Sequence, residues 1–215
     1  MKIIRFQNAA YYYQKVKSYL IQQEATHCLL LGIAKSLSGS AEQNDCDLSY
    51  LAVVEDNQNI LVTAIRTPRR KLIISRAIAV EAVELIARDL AIRSQLIPGV
   101  IASQSEAQTF INAWQDLTEQ SYELDVAMRL HQLEKVQPIT SAAGKSRSAV
   151  ESDRNLLTKW GQAFEREALG NNEPKSDHQL WFNQHLENKS LFIWQDNKNV
   201  ALHPCGMIQR GIVSK

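Results

Sequence analysis

Four sets of residues in this chain have the types and spacing that chemistry needs. Arg66, Arg69, Arg70 and Lys71 crowd the stretch RTPRRK, and guanidinium groups gathered at a bend can grip a phosphate. Exposed charge runs are more often a solvated strand end, which is how we read this one. His178 and His185 stand seven apart, on one face if the stretch is helical. Zinc-binding helices usually space two histidines by four and need an acidic or thiol partner, so no metal site is expected. His203 and Cys205 flank Pro204, the types of a base and a thiol nucleophile, although a cysteine at a strand end with a chance neighbour explains them more simply. Trp160, Trp181 and Trp194, with Phe164, Phe182 and Phe192, concentrate aromatic surface late in the chain and read as core.

The background is that of an ordinary globular protein. The 215 residues are 45% hydrophobic and 22% charged, and Lys+Arg 24 against Asp+Glu 23 leaves a net charge of +1. So small a charge offers no field for a polyanion, and no nucleic-acid partner is expected. The longest apolar run, HCLLLGIA, is far short of the roughly 20 residues a membrane helix needs, so no membrane partner is expected either. MKIIRFQNAAYYYQ lacks a signal-peptide core and cleavage site, and we expect a cytoplasmic protein. Cys28, Cys46 and Cys205 form no CxxC pair; Cys28, in an apolar run, reads as core filling.

The elements that would position these groups follow from periodicity and turn chemistry. Ala9 to about Ile33 is helical in pattern, and SLSGSAEQNDCDLS should be a surface loop. YLAVVEDNQNILVTAIRT predicts a hairpin turning at Asp56 to Asn59; KLIISRAI predicts a third strand after the bend at Pro68. Val80, Val83, Ile86, Ala87 and Leu90 predict a helix, and IPGVIAS a short strand. Ser103 and Glu106 have capping-box spacing at the head of a helix whose inner face carries Phe110, Ile111, Trp114 and Leu117. YELDVAMRLHQL alternates weakly and is expected to close the first region as a strand.

These elements predict an α/β, or mixed α+β, protein with a domain over 1–136, a connector rich in Ser, Ala and Gly over 137–152, and a second region over 153–215. In that region Leu156, Leu157, Trp160, Phe164 and Ala168 mark a helix ended by Gly170 and Asn171. A second helix runs from Asp177 to Glu187, and the strands LFIW and VALHPCGMI follow. The two regions repeat. LAVVEDNQN and LFIWQDNKN lie 140 residues apart, and the same offset lays Ala9–Ile33 on Ala149–Glu173. Convergent turn chemistry remains the alternative explanation of that match.

EATHCLLLG, YLAVVEDNQNILVTAIRTPRRKLIIS, IPGV and FIWQDNKNVAL, in this order and spacing, resemble bacterial tandem proteins of the GNAT superfamily of N-acetyltransferases. The resemblance implies a GNAT-like twisted mixed sheet flanked by helices, followed by a partial second GNAT-like domain. It also implies acetyl transfer from acetyl-CoA to a small amine or peptide acceptor, with a general base and backbone amides polarising the thioester. The cofactor of that family is held by a glycine-dense loop at a helix N-terminus. Here no two glycines are closer than five positions, and Ala77, Ala79 and Glu81 stand where the loop would be in the first copy. By the repeat register Lys215 answers to Ser75, so the loop of the second copy would fall beyond the chain and the C-terminal domain is expected to be truncated.

No catalytic, cofactor-binding or metal-ligating residue is therefore assigned, and no tight binding of acetyl-CoA is expected. The expected function is that of an inactive or very weak GNAT-type acetyltransferase-like protein. The alternative is a non-catalytic ligand-binding or dimerising module, with a homo-oligomer forming through the open sheet of the second domain.

Overall fold

The computed structural model describes residues 1–39, 49–93, 96–135, 137–138, 140, 143–169, 178–196 and 198–204. Its contacts divide the chain into two compact units, Met1–Glu134 and Lys135–Lys215. The class is mixed α+β, as the pattern of elements predicts, and among the described residues no helix is long and apolar enough to cross a membrane.

The first unit opens with a strand that periodicity missed, β1 (Lys2–Arg5). Helices α1 (Ala9–Ile21) and α2 (Glu24–Gly39) follow, then β2 (Tyr50–Asp56), β3 (Asn59–Arg66), β4 (Leu72–Ile74), α3 (Ala82–Ile92), β5 (Val100–Ile101) and α4 (Gln104–Thr118). The sheet order is β1-β2-β3-β4-β5; the first four strands are antiparallel, and β4 and β5 are parallel. The β2–β3 hairpin is the one predicted. Asn57 and Gln58 have φ of 47° and 69°, the left-handed pair a two-residue hairpin loop demands.

Six of the seven residues of β2 are buried, because helices cover both faces of this central strand. Tyr50, Ala52 and Val54 alternate onto the face where Val83, Ile86 and Leu90 of α3 and Phe110 and Trp114 of α4 pack. The opposite face belongs to α1: the Tyr12 hydroxyl lies 2.8 Å from Thr63 Oγ1, and Thr63 pairs across the ladder with Val53.

Six sequence expectations are corrected in this unit. The helical stretch from Ala9 is two helices, broken at Gln22 and Gln23, where the Leu20 carbonyl accepts from the Gln23 amide at 3.2 Å and from His27 Nδ1 at 3.0 Å. Ser36 to Gly39 are helical and not loop; the Ser38 hydroxyl donates back to the Lys35 carbonyl at 2.7 Å, while 40–48 lies outside the described residues. The predicted strand KLIISRAI stops at Ile74. YELDVAMRLHQL forms no strand: it is exposed throughout and, among the described residues, joins no sheet. Leu117, placed on the inner face of α4, is likewise exposed, and Cys28 is only half-buried.

The second unit holds β6 (Lys145–Ser148), in the stretch read as connector, then a short 3-10 turn (Glu151–Asp153), α5 (Arg154–Leu169), α6 (His178–Glu187), β7 (Leu191–Asp196) and β8 (Lys198–Pro204). Its antiparallel sheet runs β6-β7-β8 over a small core of Leu157, Phe182, Leu191 and Ile193. Arg147 on β6 clasps Asp153 with two hydrogen bonds, 2.7 and 2.8 Å, and its Nε donates to Gln195 Oε1. The predicted helix stop at Gly170 and Asn171 lies outside the described residues.

Strand, two helices and hairpin recur in the same order in both units. The ladder is bulged between Val54 and Glu55 in one and between Trp194 and Gln195 in the other, 140 residues on. The single offset does not hold beyond the bulge. Asp56 pairs with Asn59 but Asp196 with Lys198, so the second hairpin is one residue shorter.

Gly144, just before β6, has φ +105°, and a Cβ there would fall 2.5 Å from the Gln195 carbonyl oxygen and 2.9 Å from Trp194 Nε1. Trp194 Nε1 donates to the neighbouring Ala143 carbonyl at 3.0 Å. Gly144→Ala is therefore expected to destabilise the second unit by roughly 1–3 kcal/mol, through strain and clash together. Urea unfolding followed by tryptophan fluorescence will measure it, and an unchanged midpoint would refute the assignment.

Candidate functional site

The densest gathering of catalytic-type side chains is one that no motif announced. It forms where the chain leaves β4. At Ser75 the side chain enters the ladder, its Oγ accepting from the Thr63 amide at 3.0 Å, and the strand peels away. The next two amides then need acceptors from elsewhere. The Arg76 N–H donates to His27 Nε2 at 3.0 Å, and the Ala77 N–H donates to Glu106 Oε1 at 2.9 Å. Ile78 returns to the sheet edge by donating to the Leu61 carbonyl at 2.8 Å. The Tyr19 hydroxyl reaches the Leu61 carbonyl at 3.1 Å and the Arg76 carbonyl, and the Tyr19 ring stacks on His27 with centroids 6.0 Å apart.

Three helices thus deliver a phenol (α1), an imidazole (α2) and a carboxylate (α4) to one tripeptide. Their protonation states follow from their partners. The Leu20 carbonyl can only accept, so His27 Nδ1 carries the proton and Nε2 is the acceptor for Arg76. Burial holds the His27 pKa below its ordinary value, with the Arg76 charge acting the same way; the Leu20 bond and Glu106 oppose them. Burial alone would raise Glu106, but the Ala77 amide, the Ser105 hydroxyl at 2.6 Å and the Arg76 charge bring it below the usual carboxylate value. Burial pushes the Tyr19 hydroxyl up.

A general base needs a free lone pair facing a substrate. His27 spends its lone pair on a backbone amide, and one Glu106 oxygen serves the Ala77 amide while the other serves the Ser105 hydroxyl. The cluster is built as a clasp. It also replaces the predicted capping box: Ser103 is extended at the N-cap of α4 but makes no side-chain cap bond, and the Glu106 carboxylate goes to the Ala77 amide at the β4 exit. The sequence signal that could have found this site is a histidine set among apolar residues in HCLLLGIA, together with an acid in a first helical turn.

The other candidates stay apart. In the basic turn Arg69 has φ 60°, Arg66 Nε donates to the Arg70 carbonyl at 3.3 Å, and Lys71 pairs with Asp125. Arg66 and Lys71 thus turn to separate partners. His185 Nδ1 lies 2.6 Å from Ser190 Oγ, and burial lowers the His185 pKa. Among the described residues no three His, Cys, Asp or Glu side chains come together as a metal site. His203 lies in β8 opposite Phe192; Cys205 and the Trp181 side chain lie outside the described residues. Of the aromatic group Phe182 is buried, Trp160, Phe192 and Trp194 are half-buried and Phe164 is exposed, so only part of it is core. At the stretch standing for the cofactor loop, Ala77 is bonded to Glu106, while Ala79 and Glu81 accept from the Ala82 and Glu84 amides in the first turns of α3.

Comparison of the chain with protein-family models, curated proteins and solved structures finds no match.

The clasp makes folding sensitive to acid. His27 is depressed in the folded state, so above its ordinary pKa of 6.5 both states are neutral and stability is at its full value. Below that value the unfolded chain takes up a proton that the folded chain refuses, and stability falls by at most about 1.4 kcal/mol per pH unit. Denaturation of wild type and His27→Gln between about pH 7 and about pH 5 should give a steeper loss for wild type. Equal slopes would show that His27 is not held neutral.

Proposed function

We propose that this chain is an acetyltransferase-like protein of the GNAT type whose first unit does not bind acetyl-CoA, and that it serves as a non-catalytic interaction module. What supports this is the fit of the cofactor to the segment between β4 and α3. A diphosphate cradle of the kind the resemblance implies needs consecutive backbone N–H groups open at a helix start, with glycines letting the backbone approach. Here the Arg76, Ala77 and Ile78 amides are bonded to His27, Glu106 and Leu61, and the segment contains no glycine. The single observation that carries the reading is the Glu106 carboxylate 2.9 Å from the Ala77 amide. It puts an internal negative charge on one amide of the segment a diphosphate would approach, which disfavours a second anion beside it.

If transfer did occur, a small amine or a peptide N-terminus would be the acceptor class. The reading predicts no thermal shift of the full chain with CoA and no acetyl transfer to a panel of amines above the uncatalysed rate. Micromolar CoA binding, or turnover lost on Glu106→Ala, would overturn it.

A further inference from the structure

Two unsatisfied features of the first unit match one another. The sheet ends at β5, which pairs with β4 on one side and, among the described residues, with nothing on the other. Beyond α4 the segment 121–133 runs without helix or turn, and among the described residues no backbone hydrogen bond ties it to a strand. Tyr122, Leu124, Val126, Met128 and Leu130 recur at every second position along it and expose between 50% and 79% of their surface. That is the side-chain period of a strand with one apolar face, held in water. An open edge and a free strand are the two halves of β-strand addition.

Charge places them together. The Lys71 side chain lies against Gly99, just before β5, where a Cβ would meet Lys71 Cδ at 3.3 Å. Within the chain Lys71 pairs with Asp125 of the free segment, so the segment and the β5 end of the sheet carry complementary charges. Within one chain this contact leaves the apolar row uncovered and the edge unpaired. A foreign strand would close the edge but leave 121–133 in water, and a foreign sheet would do the reverse; a second copy supplies both at once, in a closed two-fold exchange.

We propose that residues 121–133 add as a strand to the β5 edge of a second copy of this chain, each copy's Lys71 facing the partner's Asp125. The proposal does not rest on the cofactor reading, and it places the interface in the first unit, where the sequence had suggested the open sheet of the second. Sedimentation velocity on the full chain tests it. Wild type should dimerise at micromolar concentration. Lys71→Glu and Asp125→Lys should each weaken the dimer about tenfold or more, and an equimolar mixture of the two variants should recover it, because the mixed dimer restores opposite charges at both contacts. Recovery on mixing requires the pair to form between chains. Val126→Pro removes an amide from the strand, at a residue that is exposed in the monomer, and should give a folded monomer by circular dichroism. A monomer at all concentrations, a dimer indifferent to Val126→Pro, or variants that fail to recover on mixing would each overturn the proposal.

Discussion

The first unit depends on how two consecutive amides are satisfied once β4 ends. Arg76 and Ala77 leave the ladder in a part-buried place, where a donor without a partner costs about 1–3 kcal/mol. The acceptors come from opposite layers of the fold. His27 reaches from α2, which packs with α1 on one side of the sheet, and Glu106 reaches from α4, which packs with α3 on the other. One dipeptide therefore ties both helical layers to the same end of the sheet. The link is strong because one of its bonds ends on a charge in a site largely shielded from water.

The same economy governs the remaining buried charges. Glu55 lies almost wholly covered between Lys15 Nζ at 2.7 Å and Lys2 Nζ at 3.2 Å, and the Lys15 bond first among its surroundings holds its carboxyl below the usual value. Asp89 accepts from the Tyr50 hydroxyl at 3.0 Å and Arg5 at 3.2 Å, joining α3 to β1 and β2. In the second unit Asp153 takes both arms of Arg147. Groups that would be catalytic types on a motif scan are committed to holding elements together.

The units share a plan and differ in its joints. Each runs strand, two helices, hairpin, with a bulge at the same place in the first hairpin strand. Helix α1 is started by Asn8, whose Oδ1 accepts from the Tyr11 amide at 3.0 Å. Its counterpart α5 follows a 3-10 turn braced by the Arg147–Asp153 pair. Different local devices serve the same order of elements, which is why a single sequence offset fails at the joints.

Local chemistry was readable from the residues alone. The β2–β3 hairpin, α3, the short β5 and the apolar face of α4 at Phe110 and Trp114 follow from alternation, helical spacing and the Asp-Asn turn, because each depends on neighbours a few positions away. Strands β1 and β6 escaped because four residues, KIIR in one and the wholly polar KSRS in the other, carry too little pattern without their partners. The alternation of 121–133 was legible, but whether a strand finds a ladder is a property of what lies beside it. The clasp lay furthest out of reach: Tyr19, His27, Ser75 and Glu106 span 87 positions of sequence and share no spacing rule. Periodicity along the chain sets which elements form, since that is decided by backbone and side-chain contacts within a few turns. Which polar groups face each other, and whether a serine and a glutamate make a capping box or part company, is decided only when distant segments compete for the same donors in the folded sheet.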